Sequence, residues 1–347
     1  MFPNKGVPPG GEPVVRITAA HEASPKVRAS ATPVPKNLSW LCDVSLVSDA
    51  KPFLNTGSFV GVDVVPVTDG QSLPTRADVV AVEEPLEIRI GHQASGRWIT
   101  TSLSITMRTP GHDFDLAAGF LFSEGIVRSF NDLATIQQVG RPGGNVVRVE
   151  VRPDVQLDLG RLERHFYTTS SCGVCGKSSL EALSTQACNL PPRDAPVLAA
   201  AVIHTLPGIA RRSQSVFEQT GGLHAACLFD TAGCLLLLRE DVGRHNAVDK
   251  LIGHQFLAGT IPLHQGLLFL SGRASFELLQ KALTAGIPIV AAVGAPSSLA
   301  VDLAREYDLT LLGFVRDNRF NVYSGNWRIQ YEASAAAQLD SAAPHAE

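Results

Sequence analysis

Between residues 266 and 314 the sequence alternates short apolar runs with stretches of helical period, and this constrains the fold more than any other feature. Residues 266–270, 287–293 and 309–314 read as strands, and residues 276–285 and 299–305 as the helices between them. Strand, helix, strand, helix, strand is the pattern of a parallel sheet with right-handed crossovers. Upstream, residues 225–229 and 234–238 flank Asp230-Thr231-Ala232-Gly233, a hairpin-like turn, and a helix over 246–257 follows. The simplest reading is a three-layer α/β domain over residues 167–330.

An earlier segment has a different texture. Alternation at Leu86, Ile88 and Ile90, then at Leu103, Ile105 and Met107, predicts an antiparallel pair that Thr109-Pro110-Gly111 breaks. Phe114, Ala117, Ala118, Leu121 and Phe122 fall at helical spacing, with Gly125 as the stop, and Val147, Val149 and Val151 predict a further strand. Residues 78–166 therefore read as a smaller α+β domain. Residues 1–36 carry seven prolines and little periodicity, so residues 1–77 are expected to be a largely flexible extension. Residues 331–347, rich in Ala and Ser, read as a disordered tail.

Ligands of open α/β sheets settle beyond the carboxyl ends of the strands. Three such ends share one chemistry: Ser271-Gly272-Arg273-Ala274-Ser275, Gly294-Ala295-Pro296-Ser297-Ser298 and Val315-Arg316-Asp317-Asn318-Arg319. Small residues with free backbone N–H groups at helix starts, joined by arginines, suit phosphate or pyrophosphate. The segment from Glu240 to Asn246, with Arg244 and His245, links a strand to a helix in the same way. Each loop alone reads as helix capping, or as a solvated cluster of Glu240, Asp241 and Arg244. Four on one edge favour a nucleotide-like anion gathered by Arg244, Arg273, Arg316 and Arg319. His224 and His245 are acid–base candidates, and His112 and Asp113 read as helix-capping residues.

The cysteines carry the other signal. Six in 347 residues are too few for a disulfide scaffold, which suits a reduced cytoplasmic protein. Cys172 and Cys175 form a CxxC within Ser171-Cys172-Gly173-Val174-Cys175-Gly176-Lys177, whereas Cys42, Cys188, Cys227 and Cys234 are expected to have no catalytic duty. A CxxC is half a zinc site, a dithiol redox pair or a sulfur-handling nucleophile. Zinc is disfavoured because no second CxxC exists, so no metal site is expected. The helix is expected to start later, at the capping box Ser178 to Glu181, which leaves both thiols in a glycine-flanked loop. A net charge of −4 provides no basic field for nucleic acid, no apolar run approaches a membrane span, and residues 1–11 lack an apolar signal core.

Several blocks together resemble one family. Residues 109–113 (TPGHD), the Cys172–Cys175 loop, residues 240–250 (EDVGRHNAVDK), 271–277 (SGRASFE) and 295–301 (APSSLAV) resemble the FdhD family of formate dehydrogenase accessory sulfurtransferases. The resemblance spans about residues 78–330. It implies a cytidine-deaminase-like fold, a homodimer and a cytoplasmic sulfur carrier. A cysteine desulfurase would supply sulfur, carried as a persulfide to the molybdenum cofactor, bis-molybdopterin guanine dinucleotide, before insertion into formate dehydrogenase. It implies further that Cys172 bears the persulfide with Cys175 as its partner. The segment Phe314, Val315, Arg316, Asp317, Asn318 and Arg319 would bind the cofactor, and the crevice residues Ser271, Gly272, Arg273, Arg244 and His245 fit that ligand. No permanently bound cofactor is expected. Two alternatives remain open: a non-catalytic chaperone for the cofactor or apoenzyme, and a thiol-disulfide oxidoreductase.

Overall fold

The computed structural model describes residues 57–331 except 95, 141–142, 156 and 158–188, together with the backbone of Val14–Arg16. Its strands are β1 (Val14–Arg16), β2 (Phe59–Val64), β3 (Arg76–Ala81), β4 (Glu84–Ala94) and β5 (Arg97–Arg108). Helix α1 (Asp113–Ser123) precedes β6 (Leu133–Gln138) and β7 (Val146–Val151). Helices α2 (Ala200–Ser213) and α3 (Ser215–Thr220) lead into β8 (His224–Phe229) and β9 (Leu235–Asp241). The chain continues through α4 (Arg244–Leu257), β10 (Leu267–Leu270), α5 (Phe276–Thr284) and β11 (Ile289–Ala292). It closes with α6 (Ser298–Glu306), β12 (Thr310–Arg316) and β13 (Arg319–Ser324).

Two main sheets form. The first has the order β1-β6-β7-β4-β5, with Leu86 opposite Thr106 and Ile88 opposite Ser104 in the expected antiparallel pair. The second has the order β9-β8-β10-β11-β12-β13. Its central β10, β11 and β12 run parallel, as the alternation predicts, while β8 and β13 join antiparallel, so the sheet is mixed.

Side-chain alternation explains the uniformly apolar strands. Ala226, Leu228, Leu268, Leu270, Val290 and Ala292 enter one core, while Ala225, Cys227, Phe229, Leu267, Phe269 and Ile289 enter another. Both faces of this sheet are dry, so neither can carry a polar register. The second core is closed by Ile203, Leu206 and Ala210 of α2. The sequence reading missed this helix because Pro207 lies inside it, where proline ordinarily signals a break.

The other core crosses the boundary drawn at residue 166. It runs from Leu86, Ile88, Val147 and Val149 of the first sheet through helices α1, α4, α5 and α6 to the second sheet. The two sequence-defined domains thus share one hydrophobic interior. The boundary at residue 77 also shifts: it falls within β3, which pairs antiparallel with β2. Val14–Arg16, inside the expected flexible tail, pairs with β6 at the edge of the first sheet.

Candidate functional site

The turns at the carboxyl ends of β10, β11 and β12 are tied into one platform. Val293 N–H donates to Leu270 O (3.0 Å), Gly294 N–H to Gly272 O (2.8 Å) and Phe314 N–H to Gly294 O (3.1 Å). Gly294 is required here, since a Cβ would lie 2.9 Å from Arg273 Cγ and 3.0 Å from Gly272 O. Ala225 N–H donates to Ser271 Oγ (2.8 Å), which fixes that hydroxyl beside the platform. At Phe314 the backbone turns left-handed, φ 54°, within a register irregularity between Gly313 and Arg316. Non-glycine residues adopt this conformation at a cost, and such strain concentrates at functional sites.

Beside the platform lies a cleft of about 750 Å³, within the size range of ligand sites. Ser271, Val315, Arg316 and Asp317 line it together with His224 and Arg211. Arg316 is held by Nη1, which donates to Val293 O (2.8 Å) and Val315 O (3.1 Å). Burial, then the neighbouring Arg244 cation, lowers the pKa of His224 below the usual histidine value. Its imidazole is therefore neutral near pH 7.

The expected four-arginine cluster is only partly assembled. Of its members Arg316 alone lines the cleft; Arg273 is exposed on the adjoining turn, and Asn318 and Arg319 lie at the β12–β13 turn. Phe314 is not part of the lining, while Gly272 borders it through His224, whose Nδ1 would lie 3.4 Å from a Cβ at Gly272. Arg244 and His245 open α4 instead. There His245 Nε2 lies 3.5 Å from Ser275 Oγ and 3.9 Å from Glu277 Oε2. Burial, then Arg244 and Lys281, depresses the His245 pKa to about 4. Arg211 and Phe217 of the helical wall were missed along with α2.

The blocks 109–113 and 240–250 turn out to be a buried lock. Asp241 and Lys250 pair at 2.7 Å with side chains 0% and 1% exposed, which corrects the solvated-cluster reading of Asp241. Lys250 Nζ also donates to Thr109 O (2.8 Å), and Thr109 N–H donates to Asp241 Oδ2 (3.2 Å). Asn246 Nδ2 reaches Met107 O (2.7 Å), and Thr106 Oγ1 donates to Asn246 Oδ1 (3.1 Å). Glu240 is not free either: it accepts from Val216 N–H (3.1 Å) and Phe217 N–H (2.8 Å), capping α3. The expected capping by His112 and Asp113 is likewise corrected. His112 occupies the N-cap with φ 57° and makes no capping bond. The Asp113 carboxylate takes two bonds from Arg108 Nε (3.0 Å) and Nη2 (2.9 Å).

Cys172 and Cys175 lie outside the described residues, as do Cys42 and Cys188. Burial pushes the Cys227 thiol far above its ordinary pKa, making it a core side chain rather than a nucleophile. Among the described residues no group of His, Cys, Asp and Glu is arranged to hold a metal. No helix among them is long and apolar enough to cross a membrane.

Comparison with known proteins gives one consistent answer. The sulfur carrier protein FdhD of Streptomyces avermitilis is 51% identical over 280 residues, covering 79% of this chain and 96% of that protein. The sulfur carrier protein FdhD of Mycobacterium tuberculosis is 49% identical over 264 residues, covering 74% and 93%. Among solved structures, a crystal structure described as a formate dehydrogenase accessory protein from Desulfotalea psychrophila matches with a TM-score of 0.61 and 25% identity. That match covers 79% of this chain and 100% of the other. The FdhD/NarQ family model matches residues 81–330, so this chain belongs to the FdhD/NarQ family.

Proposed function

We propose that this protein is a cytoplasmic sulfurtransferase that delivers sulfur to the molybdenum cofactor of a formate dehydrogenase. Family membership supports the sulfur-carrier role. The observation that carries the delivery step is the cleft at the carboxyl ends of the parallel strands, with Ser271, Val315, Arg316 and Asp317 in its lining. Backbone amides and a guanidinium at such an edge bind phosphorylated ligands. The bis-molybdopterin guanine dinucleotide is a substrate here, with one phosphorylated arm in the cleft.

The chemistry follows from thiol–persulfide exchange. The Cys172 thiolate attacks the terminal sulfur of a persulfide on a cysteine desulfurase. The S–S bond of that persulfide breaks, the desulfurase cysteine leaves as a thiolate, and Cys172 keeps the transferred sulfur. For delivery, the Cys175 thiolate attacks Cys172 Sγ and hydrosulfide leaves for the substrate. The two electrons come from the cysteines, which end as a disulfide, and a thiol reductant resets the pair.

The strand and helix order from β8 to β12 supports the cytidine-deaminase-like assignment. The first turn of α4 contains His245-Asn246-Ala247, without the glutamate of a deaminase, and the Ser271–Ser275 turn that leads into α5 holds no cysteine. This agrees with a fold used for another reaction. The expected homodimer also belongs to the proposal. It is favoured by β5, which ends the strand order of the first sheet among the described residues and whose residues 98–107 carry no charge.

The test is mass spectrometry after incubation with a cysteine desulfurase and cysteine. One added sulfur on the Cys172 peptide is expected, and its absence refutes the carrier role. Maturation of the dehydrogenase by Cys172→Ala separates transfer from chaperoning: a non-catalytic chaperone retains activity, and a sulfur carrier loses it.

A further inference from the structure

We infer that the cleft has a second anion-binding arm, Arg211, on its helical wall rather than in the family's cofactor segment, and that Glu240 holds it in place through Phe217. The inference rests on the cleft reading above and extends it to Arg211 and Phe217, which lie outside the stretches picked out in the sequence.

Arg211 stands in the last turn of α2 and lines the cleft. Its guanidinium carbon lies 4.2 Å from the centroid of the Phe217 ring. Stacking of this kind fixes the plane of the group and leaves its N–H edge free to donate. Phe217 is itself anchored, since its N–H donates to Glu240 Oε1 at 2.8 Å while Val216 N–H donates to Oε2 at 3.1 Å. Glu240 therefore fixes the start of α3, α3 fixes the Phe217 ring, and the ring fixes Arg211.

Charge points the same way. Among the described residues no carboxylate lies within ion-pair distance of Arg211 or Arg316. The one acid in the lining is Asp317. A neutral His224 adds no charge to this balance. Arg316 contributes from the strand-end wall, with only Nη1 bonded among the described residues. Two guanidinium groups with no ion-pair partner among the described residues, Arg211 feeling only the longer-range attraction of Glu240, line one cleft and fit a ligand with two anionic oxygens or more. A diphosphate meets that requirement better than a monophosphate. Neighbouring Arg212, exposed like Arg211, is absent from the lining, which makes it the natural control.

The experiment is calorimetric titration of the full chain with guanosine diphosphate and, separately, inorganic pyrophosphate. Losing one charge-assisted interaction weakens binding by about 10- to 100-fold. Arg211→Ala is expected to show that loss for both probes and Arg212→Ala none. Arg211→Lys, which keeps the charge but not the planar fork, is expected to restore only part. Phe217→Leu, which removes the stacking surface but no charge, is expected to weaken binding less than Arg211→Ala. Unfolding midpoints equal to wild type show that each variant is folded. Wild-type affinity in Arg211→Ala, with Arg316→Ala weakened, overturns this inference and leaves the cleft assignment standing. Equal losses in Arg211→Ala and Arg212→Ala overturn it too, because they indicate diffuse attraction. No binding by the wild type overturns both the inference and the cleft assignment.

Discussion

Alanine in place of Gly253 tests how the two halves of the chain are joined, because two effects of opposite sign compete there. Gly253 in α4 faces Gly119 in α1, and the helices cross backbone to backbone. A Cβ on Gly253 would overlap Asp115 O and lie 2.6 Å from Gly119 N and 2.8 Å from Asp115 C. These are rigid atoms of a facing helix rather than the end of a flexible side chain. To regain ordinary contact with Asp115 O, at about 3.5–4 Å between atoms, the helices must part by about 2 Å. Parting loosens a core that includes Leu116, Leu121, Phe122, Val248 and Phe256, with the Phe122 and Phe256 rings 4.8 Å apart. Overpacking of this kind costs about 3 kcal/mol at its upper end. Intrinsic helix propensity works the other way, favouring alanine over glycine by about 1 kcal/mol. The expected net effect of Gly253→Ala is thus a loss of about 2 kcal/mol. Gly208→Ala in α2 supplies the comparison, since its Cβ would meet only the flexible Arg212 Nη1, at 3.3 Å. Propensity then dominates, and a gain of about 0.5–1 kcal/mol is expected. Both are measured by urea unfolding at fixed pH, with unchanged m values. A Gly253→Ala protein as stable as wild type, or stabilised like Gly208→Ala, would refute the close-crossing argument.

Two further outcomes follow from the buried charges. Lys250→Met leaves Asp241, which is 0% exposed, without its cation, so a loss of about 3–5 kcal/mol is expected. The double variant Lys250→Met with Asp241→Asn should recover part of it in urea unfolding, and strict additivity would show that the pair is not coupled. His245 has a native pKa of about 4 against an ordinary 6.5, so the unfolded chain binds more protons between those values. Stability therefore rises with pH through that window and falls as pH drops from 6.5 toward 4. His245→Asn should flatten this acid limb in a pH series of unfolding midpoints, and an unchanged slope would contradict the assigned pKa. A residual slope is expected from His112, which burial and then Arg239 also depress to about 4.

The strands and helices from residue 266 to 316 could be read from sequence because burial on both strand faces leaves an unmixed apolar signal. What the sequence could not show was direction. Four arginines occur near strand ends, but a strand-end turn has no fixed side-chain period, and only Arg316 faces the cleft. Arg211, which does face it, sits on a helix hidden by Pro207. The hairpin strand β13 has no sequence expectation of its own, since the chain before it, Val315-Arg316-Asp317-Asn318-Arg319, reads as a ligand-binding turn. The α1–α4 crossing was illegible for a different reason: its signal is two glycines far apart in sequence, and a glycine inside a helix normally argues against the helix. The CxxC loop, the strongest chemical signal in the sequence, lies outside the described residues.

The blocks that announced the family divide into two kinds of work, and Glu240-Asp241 belongs to both. Asp241 turns inward to Lys250 and Thr109, locking the first sheet's last strand to α4. Glu240, one residue earlier and therefore on the opposite face of β9, turns to the N-terminus of α3 and the helical wall of the cleft. The alternation of a single strand thus couples the core lock to the ligand wall. A register slip of one residue in β9 would exchange the two carboxylates and undo both at once. The β8–β9 hairpin opposes that slip by a defined register, with His224 opposite Asp241 and Ala225 opposite Glu240. His224 reaches the cleft from the same pairing, so the hairpin that closes the core also sets the position of His224 in the lining and of Glu240 behind the helical wall. Substitutions on β9 should consequently be judged by stability and ligand affinity together, since neither function of this strand can be altered at these two positions without the geometry of the other.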